Sequence, residues 1–391
     1  MSGTIVDVAS PQFWIVIAFA LVLLTPTTSP QLRRWLLAAI NLGFLTIFLG
    51  LRLGSILLAL GAVYVLLRAI TVDSLKSSAT ILMLVGATAL FILHKVPGPP
   101  LPGVLSPLAS ILTTIGFAYV FLRLLDVIRV VWERRLPPPA FVELVNYLLP
   151  FHMLAAGPIQ AYEEFQAQPG TPPALTVGGT LAAVERIVAG LFKKYVLAYL
   201  LLQLLSTRWQ AGGWYHLLEM NAHFVWLYLD FSAYSDIAIG IGLLLGVATP
   251  ENFNRPYLAR NITEFWERWH MSLSMFLRRH LFLPIYIALL RRSGGQHRLL
   301  CASIALLITF VLCGAWHGLT LPYLTWGLFH ALALIVCHVY GEFLRWWLGA
   351  KGVTKYMASP LIRTVSTVVT FEVVAFSVLL QGRYWEWATG R

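Results

Sequence analysis

His317 is the residue of this 391-residue sequence whose type and position best suit catalysis. It lies in the segment CGAWHG at 313–318, directly after the apolar run 304–312. An imidazole exchanges a proton near neutral pH, and ionisable side chains within a membrane span are costly and usually functional. Gly314 and Gly318 form a GxxxG spacing that lets another backbone or an acyl chain approach closely. His317 is therefore a candidate general base, with a packing hydrogen bond inside a helix bundle as the alternative.

A second histidine, His270, belongs to the segment WERWHMSLS at 266–274. Ser272 and Ser274 follow it, and Ser274 falls on the same helical face four residues on. A serine–histidine nucleophilic pair is conceivable, but no orienting acid follows on that face. We therefore expect His270 to position or hydrogen-bond a substrate, with Ser274 in a supporting role.

Carboxylates and further histidines occupy other apolar runs. Asp230, Tyr234 and Asp236 fall in the segment YLDFSAYSD, where partners four residues apart could satisfy one another. Two carboxylates in a span could carry protons, but a buried polar network that locks the helices is the favoured interpretation. His330 and His338 lie in the apolar run after His317 and share its ambiguity, and for both a structural role is favoured.

An arginine-rich and aromatic stretch occupies residues 250–298. It is too charged for a span and too aromatic for a solvated loop, so it predicts interfacial or re-entrant helices. The apolar run 281–290 is too short to cross a bilayer, and we expect it to dip in while both basic flanks stay at one surface. Arginine there suits the phosphates of a donor, with headgroup anchoring as the alternative. The flanking arginines are Arg278, Arg279, Arg291 and Arg292.

The elements that must position these residues are membrane helices. Hydrophobic residues make up 58% of the chain and charged residues 12%, with a mean hydropathy of +0.75. Soluble domains are about 45–50% apolar and about 25% charged, which excludes a soluble enzyme, a disordered chain and a nucleic-acid binder. The formal charge of +11 fits the basic cytoplasmic loops of a polytopic protein and an anionic cytosolic partner. Cys301, Cys313 and Cys337 lack CxxC spacing, so neither disulfides nor a metal site is expected.

Apolar runs long enough to span a membrane predict an all-α polytopic fold, with residues 1–391 in a single membrane domain. The first run has no basic n-region and no convincing cleavage site, so we expect a retained helix. Proline-rich breaks fall at 96–102, 137–139 and 169–173. A further break at 155–158, inside an apolar run, is a candidate cavity wall. The runs are 12–25, 35–50, 53–70, 79–94, 104–124, 141–156, 180–206, 222–248, 299–316, 320–345 and 358–381.

Five blocks of the sequence resemble the membrane-bound O-acyltransferase family. They follow the family's order and, from the first block to the last, span nearly half of the chain, which makes the resemblance specific in a way that a lone WHG is not. Within the family, RNITEFW and HMSLS resemble the bacterial branch that contains teichoic-acid D-alanyl transferases and alginate-type O-acetyltransferases. Arg279 and His280 depart from that branch, which usually has an aspartate followed by an aromatic residue. The blocks are FHMLAAGPIQAYEEF (151–165), GLFKKYVLA (190–198), YLDFSAYSDIAIGIG (228–242), PENFNRPYLARNITEFWERWHMSLSMFLRRHLFLP (250–284) and GAWHGLTLPYLTWGLFHA (314–331).

The resemblance implies about eleven transmembrane helices in a ring around a thin, funnel-like centre, with further helices lying in the membrane plane. It maps the family's invariant histidine onto His317 and a second asparagine-or-histidine position onto His270. The implied reaction moves a D-alanyl or acetyl type of acyl group from a cytosolic thioester to a hydroxyl of an extracytoplasmic envelope polymer or exopolysaccharide. His317 would be the base, and His270 or Trp316 could stabilise the oxyanion.

The implied donor carries its acyl group on phosphopantetheine, in an acyl-carrier protein or acyl-CoA, and no tightly bound cofactor is expected. The other implied partners are the polymer acceptor or a periplasmic relay protein, and the lipid bilayer of a bacterial inner membrane. O-acetylation of an exopolysaccharide is the alternative within the class. A proton-coupled transporter using Asp230 and Asp236 is a remote alternative, although the sequence shows no paired broken helices. A non-catalytic scaffold of an envelope complex is another, and it would not need His317.

Overall fold

The computed structural model describes residues 8, 10–49, 53–95, 116–169, 175–206 and 214–381. Within these ranges the regular structure is helical, apart from an isolated antiparallel β-bridge between Phe253 and Trp269. The predicted all-α class is therefore confirmed. The predicted span 104–124 lies largely outside the described residues, and so do the proline-rich breaks at 96–102 and 169–173.

Seven helical runs within the described ranges are long and apolar enough to cross a membrane. A crossing takes about 20 apolar residues at 1.5 Å each, and the shorter apolar helices Pro11–Leu24 and Leu53–Ala69 accompany these runs. The polytopic membrane character predicted from composition is confirmed. The seven runs are Lys76–Lys95, Val177–Leu204, Leu217–Leu245, Met271–Arg292, Arg298–His317, Leu321–Ala358 and Pro360–Leu379.

Contacts between Cα atoms divide the chain into two compact units. The first unit comprises Met1–Gly190 and Tyr234–Pro250, and the second comprises Leu191–Ala233 and Glu251–Arg391. In the first unit lie α1 (Pro11–Leu24), α2 (Pro30–Leu49), α3 (Leu53–Ala69), α4 (Lys76–Lys95), α5 (Phe117–Trp132), α6 (Phe141–Leu148), α7 (Tyr162–Gln166) and most of α8 (Val177–Phe192).

The second unit begins with a π-helical turn, Lys193–Ala198, that continues α8. It holds the histidines and arginines singled out from the sequence. Its helices are α9 (Tyr199–Ser206), the first part of α10 (Trp214–Leu245), α11 (Ile262–Arg268), α12 (Met271–Leu277), α13 (Leu283–Arg292), α14 (Arg298–His317), α15 (Leu321–Ala358) and α16 (Pro360–Leu379).

The predicted span 141–156 is wrong, because α6 ends at Leu148 after eight residues. The segment between α6 and α7 contains only the short 3-10 helix Phe151–Met153, and the predicted break at 155–158 follows that helix. Its backbone is satisfied inside the first unit, where Arg123, 1% exposed, donates from Nη2 to the Pro158 carbonyl oxygen at 2.8 Å. Non-helical backbone at membrane depth requires such buried partners.

The apolar run 281–290, predicted to dip into the membrane, belongs to a longer helical run. A π-helical turn, Arg278–Phe282, joins α12 to α13 without a break, because a π-bulge widens a helix but does not end it. The resulting run Met271–Arg292 is long enough to span a membrane. Arg278 and Arg291 therefore lie thirteen residues apart along one helical run, roughly 20 Å at 1.5 Å per residue.

Helices α14 and α15 pack with their backbones in close approach at two glycines. A Cβ atom on Gly314 would lie 2.3 Å from the Tyr323 carbonyl oxygen, and one on Gly327 would lie 2.3 Å from the Phe310 carbonyl oxygen. Neither position has room for a side chain. The predicted close backbone approach at Gly314 is therefore confirmed, and it fixes the segment that ends at His317.

Candidate active site

His317 is the last residue of α14 and lines a cavity of about 190 Å³ in the second unit. His270 and His330 line the same cavity, so the structure brings the two predicted site histidines together and adds a third. We call this space the histidine cavity. The rest of its wall is mostly aromatic and aliphatic: Phe224, Leu227, Phe231, Phe265, Trp266, Trp269, Leu273, Tyr323, Trp326, Val374, Ser377, Val378 and Gln381.

Three aromatic rings surround the His317 imidazole. The Tyr323 ring stacks on it with centroids 6.0 Å apart and planes inclined by 16°. Trp326 and Trp316 meet it edge-on, at centroid distances of 5.1 Å and 4.7 Å. The helix ends immediately after His317 because Gly318 is extended. The imidazole is thus held at a helix terminus on a cavity, as a base that meets a substrate requires.

A buried asparagine orients His270, which is the N-cap of α12 and has a left-handed backbone with φ of 43°. Its Nδ1 lies 2.9 Å from Oδ1 of Asn252, a residue that is 0% exposed. The Ser272 backbone N–H and hydroxyl donate to the same Oδ1 at 3.3 Å and 2.8 Å. Phe231 packs edge-on against the ring at 4.8 Å between centroids.

This network assigns the tautomer of His270. Asn252 Oδ1 accepts from the Ser272 N–H, so the amide oxygen faces the ring and His270 must donate from Nδ1. Nε2 of the neutral ring is then an acceptor. Neutral His270 can orient or deprotonate a hydroxyl, but it cannot donate to an oxyanion as the sequence analysis suggested.

His330 occupies a complete chain of hydrogen bonds within the second unit. Trp266 Nε1 donates to His330 Nδ1 at 3.3 Å. His330 Nε2 lies 3.0 Å from the Ser377 hydroxyl, which itself donates to the Val374 carbonyl oxygen at 2.7 Å. Both ring nitrogens are engaged, so the predicted structural role of His330 fits its geometry. These hydrogen bonds also fix the side chain of Trp266, which lines the histidine cavity.

In the second unit, a second cavity adjoins the histidine cavity through one shared lining residue, and a third cavity adjoins the second. Trp266 also lines an apolar cavity of about 280 Å³, together with Thr309. This apolar cavity shares Thr263, Glu267 and His338 with a larger space of about 620 Å³. We call the latter the arginine cavity, because its lining includes Arg260, Arg268 and Arg345.

Glu264 organises the arginine cavity. Burial alone would raise the pKa of its carboxyl, but hydrogen bonds from the Arg260 backbone, the Arg260 side chain and Arg268 outweigh burial and hold the pKa below its usual value. The Arg260 N–H and Arg268 Nη2 donate at 2.8 Å and 2.7 Å. Arg260 and Arg268 are therefore held by a charged carboxylate, whereas Arg345 is 62% exposed and pairs with Glu342.

Several residues predicted for the site lie outside the histidine cavity. Ser274 lines the apolar cavity and its hydroxyl donates to the Trp269 carbonyl oxygen at 3.3 Å, so it does not form a nucleophilic pair with His270. Arg278 also lines the apolar cavity. The remaining flanking arginines are absent from the lining of all three cavities described above: Arg279, Arg291 and Arg292.

The polar residues of α10 bond to neighbouring helices and line none of these three cavities. In the second unit Asp230 forms an ion pair with Lys194. In the first unit Asp236 pairs with Arg186 at 3.1 Å, and the Tyr234 hydroxyl donates to the His152 carbonyl oxygen at 3.3 Å. These contacts fit the favoured interpretation of a polar network that locks helices.

Asn252, Trp266 and Tyr323 are site residues to which the sequence analysis gave no role. Each lies inside one of the blocks that resemble the family, and only this position in the sequence could have indicated a role. Their functions depend on partners far along the chain, since Asn252 meets His270 and Trp266 meets His330.

Comparison with known proteins places these residues in a wider context. A family model described as MBOAT, membrane-bound O-acyltransferase family, matches residues 132–379. The teichoic acid D-alanyltransferase of Streptococcus thermophilus is 30% identical over 239 residues, which are 58% of this chain and 57% of that protein. The probable alginate O-acetylase of Pseudomonas fluorescens is 30% identical over 240 residues, 59% of this chain and 46% of that protein.

A shorter match has higher identity. The peptidoglycan O-acetyltransferase of Helicobacter pylori is 42% identical over 119 residues, 30% of this chain and 21% of that protein. The chain spans about half the length, or less, of the curated relatives it matches. The matched family region contains all three cavities described above, apart from Gln381.

Proposed function

Because the chain belongs to the membrane-bound O-acyltransferase family, we propose that it transfers an acyl group from a thioester donor to a hydroxyl, with His317 as the general base. The observation that carries the proposal is the shared cavity of His317 and His270. A hydroxyl is a weak nucleophile at neutral pH, and a positioned base contributes about 10²–10⁴-fold. His317 is the imidazole of this cavity that ends a helix at its wall.

In the proposed reaction, His317 first accepts a proton and later returns it. The acceptor O–H gives its proton to the His317 imidazole while its oxygen attacks the thioester carbonyl. The resulting tetrahedral intermediate breaks its C–S bond, and the imidazolium returns the proton to the departing thiolate. Neutral His270 would accept a hydrogen bond at Nε2 from the attacking hydroxyl and so orient it, because its Nδ1 is committed to Asn252.

We propose that the donor reaches His317 through the arginine cavity and the apolar cavity. The apolar cavity shares lining residues with each of the other two cavities. The lining changes from charged side chains in the arginine cavity to mostly apolar ones towards His317. Arginine favours phosphate through charge-assisted, often bidentate, hydrogen bonds. A phosphopantetheine arm of an acyl-carrier protein or CoA would place its phosphate among the arginines and its thioester at the histidines.

The acceptor class follows from the relatives' names, which include a teichoic acid D-alanyltransferase, a probable alginate O-acetylase and a peptidoglycan O-acetyltransferase. We propose an envelope polymer outside a bacterial inner membrane, or a periplasmic relay protein, as the hydroxyl acceptor. Acyl groups of D-alanyl and acetyl type are both candidates. The ion pairs of Asp230 and Asp236 within the two units offer no support for a proton-relay transporter.

The test is acyl transfer by the purified protein in lipid vesicles, with D-alanyl and acetyl pantetheine thioesters and a polyhydroxyl acceptor. His317→Ala should abolish measurable transfer, a loss of about 10²-fold or more, while the protein still inserts and unfolds at the wild-type temperature. His330→Ala serves as the comparison, because its loss removes an imidazole of the same cavity that is fully engaged in hydrogen bonds. Wild-type turnover by His317→Ala would refute the proposed base.

The donor route is tested with donor titrations in the same assay. Arg345→Gln should raise the donor KM and flatten its dependence on salt, because charge attraction weakens as the Debye length falls from about 10 Å at 0.1 M to about 3 Å at 1 M. The double variant Arg291→Gln/Arg292→Gln tests the donor role predicted for those residues. If only the double variant changes the donor KM, the donor enters at the end of α13 and the proposed route is wrong.

A further inference from the structure

Thr309 presents a buried hydroxyl that the fold of the described residues does not satisfy. The residue lies on α14 and is 2% exposed, and its Oγ1 makes no hydrogen bond with the described part of the chain. A threonine within a helix commonly donates to the carbonyl four residues earlier, as Thr370 does to Ser366 at 2.7 Å. A buried hydroxyl left unpaired destabilises the fold.

The position of Thr309 points to a ligand. It lines the apolar cavity, which adjoins the histidine cavity at Trp266 and the arginine cavity at Thr263 and Glu267. The lining also contains polar side chains, among them Thr263, Ser274 and His338, but none of them hydrogen-bonds the Thr309 hydroxyl. A polar group brought in by a ligand would supply the missing partner.

The spacing of Thr309 and His317 along α14 limits which group of the donor can reach Thr309. His317 follows Thr309 by eight residues on α14, a rise of about 12 Å. An extended chain covers about 3.6 Å for every three bonds. In a pantetheine arm the nitrogen of the first amide lies three bonds from the sulfur, about 4 Å, and that of the second lies seven bonds away, about 8 Å. With the thioester carbonyl held against His317 and a hydrogen-bond length of about 3 Å added at each end, the two amides fall about 10 Å and about 14 Å from the imidazole and so bracket the level of Thr309.

On the basis of the proposed function, we infer that the Thr309 hydroxyl hydrogen-bonds one of the two amides of the donor's pantetheine arm. Thr309 is then a specificity-determining residue, which recognises the arm that carrier-protein and CoA donors have in common. It does not recognise the acyl group. A site whose buried polar group is satisfied only by the correct ligand discriminates against donors that lack the matching group.

The test compares two thioesters with the same acyl group. Acyl-pantetheine contains both amides, whereas the N-acetylcysteamine thioester contains only the first. Thr309→Val keeps the shape and removes the hydroxyl, so it should raise the KM for acyl-pantetheine about 3–10-fold. An unchanged KM for the N-acetylcysteamine thioester would assign the hydrogen bond to the second amide, and a parallel rise would assign it to the first. Thr309→Ser should retain the wild-type preference. Thr370→Val, which removes a hydroxyl bonded within its own helix, is the matched control and should change neither KM.

Each other outcome contradicts a defined step. A fall in kcat with unchanged KM values, together with a lower unfolding temperature than that of Thr309→Ser, would show that the hydroxyl supports the fold, and would overturn the inference while acyl transfer stands. Unchanged KM values for both donors would overturn it as well. No transfer by the wild-type protein from either thioester would overturn the proposed function and, with it, this inference.

Discussion

Asn252 shows how one buried side chain determines the chemistry of another. Its Oδ1 accepts a hydrogen bond from the Nδ1–H group of His270, so Nε2 is left as the acceptor of the ring. We predict that Asn252→Ala lowers kcat about 10–100-fold, the equivalent of the 1–3 kcal/mol cost of an orphaned buried hydrogen-bonding group. The donor KM should change little, because Asn252 lines none of the three cavities described.

The measurement is the pH profile of kcat for Asn252→Ala, His270→Ala and the double variant. Groups in one network are non-additive, so the double variant should be no worse than His270→Ala alone. Asn221→Ala is the control, since that amide donates to the Leu217 carbonyl oxygen within α10. Wild-type kcat and an unchanged pH profile for Asn252→Ala would contradict the positioning role.

At the residue scale, prediction from sequence succeeds where a residue type is rare in its surroundings. An imidazole in an apolar run identifies His317 from the sequence alone. His330 could be seen but not interpreted, because its partner Ser377 lies 47 residues away. Thr309 could not be singled out, since an unsatisfied hydroxyl becomes visible only when its helix is packed against its neighbours.

Gly327 governs how α15 meets α14. A Cβ there would lie 2.3 Å from the Phe310 carbonyl oxygen, which is backbone and cannot rotate away. We predict that Gly327→Ala costs about 1–3 kcal/mol of stability, the usual penalty of overpacking. It should also reduce acyl transfer, because separating the helices moves Tyr323 and Trp326 away from the His317 ring.

The measurements are thermal unfolding in detergent and acyl transfer in vesicles. Gly341→Ala on the same helix is the matched control, because a Cβ there meets only the end of the Arg345 side chain at 3.6 Å. Equal unfolding temperatures for the Gly327 and Gly341 variants would show that the helices adjust without strain.

At the element scale, helix existence could be predicted from apolar length, but continuity could not. The ends of α14 and α16 lie within a few residues of the predicted runs. The run Met271–Arg292 was missed because its basic residues at 278 and 279 suggested a surface, whereas a π-turn carries them through the helix. The arginine cavity could not be predicted either, since Arg260 and Arg345 come together only in the folded chain.

At the scale of the whole molecule, composition determines the class of protein more firmly than its internal division. A mean hydropathy of +0.75 with 12% charged residues leaves too little polar surface for a soluble fold. The division into two compact units has no counterpart in the sequence, where no linker or change in composition marks residues 190 or 234. Long-range contacts create it, and they are not encoded in any local pattern.

The charge distribution also predicts the orientation of the chain in the membrane. The connection between α13 and α14 is flanked by Arg291, Arg292 and Arg298, and cytoplasmic connections carry an excess of basic residues. Helix α14 has 20 residues, about 30 Å at 1.5 Å per residue, which matches the hydrocarbon core. The connection between α14 and α15 should therefore reach the opposite side.

We predict that a cysteine at the exposed Gln296 reacts with a membrane-impermeant maleimide only in inside-out vesicles, whereas a cysteine at the exposed Thr320 reacts only in intact spheroplasts. Both are placed in a background in which the native cysteines are replaced by alanine, and each variant must retain acyl transfer, so that labelling reports a folded protein. Labelling of Gln296→Cys from outside would show that the topology is inverted. The part of α15 that lines the arginine cavity would then lie on the side away from the cytosol. A thioester made in the cytosol would then have to enter from the other end of α14, and the proposed donor route would be wrong even if His317 is the base.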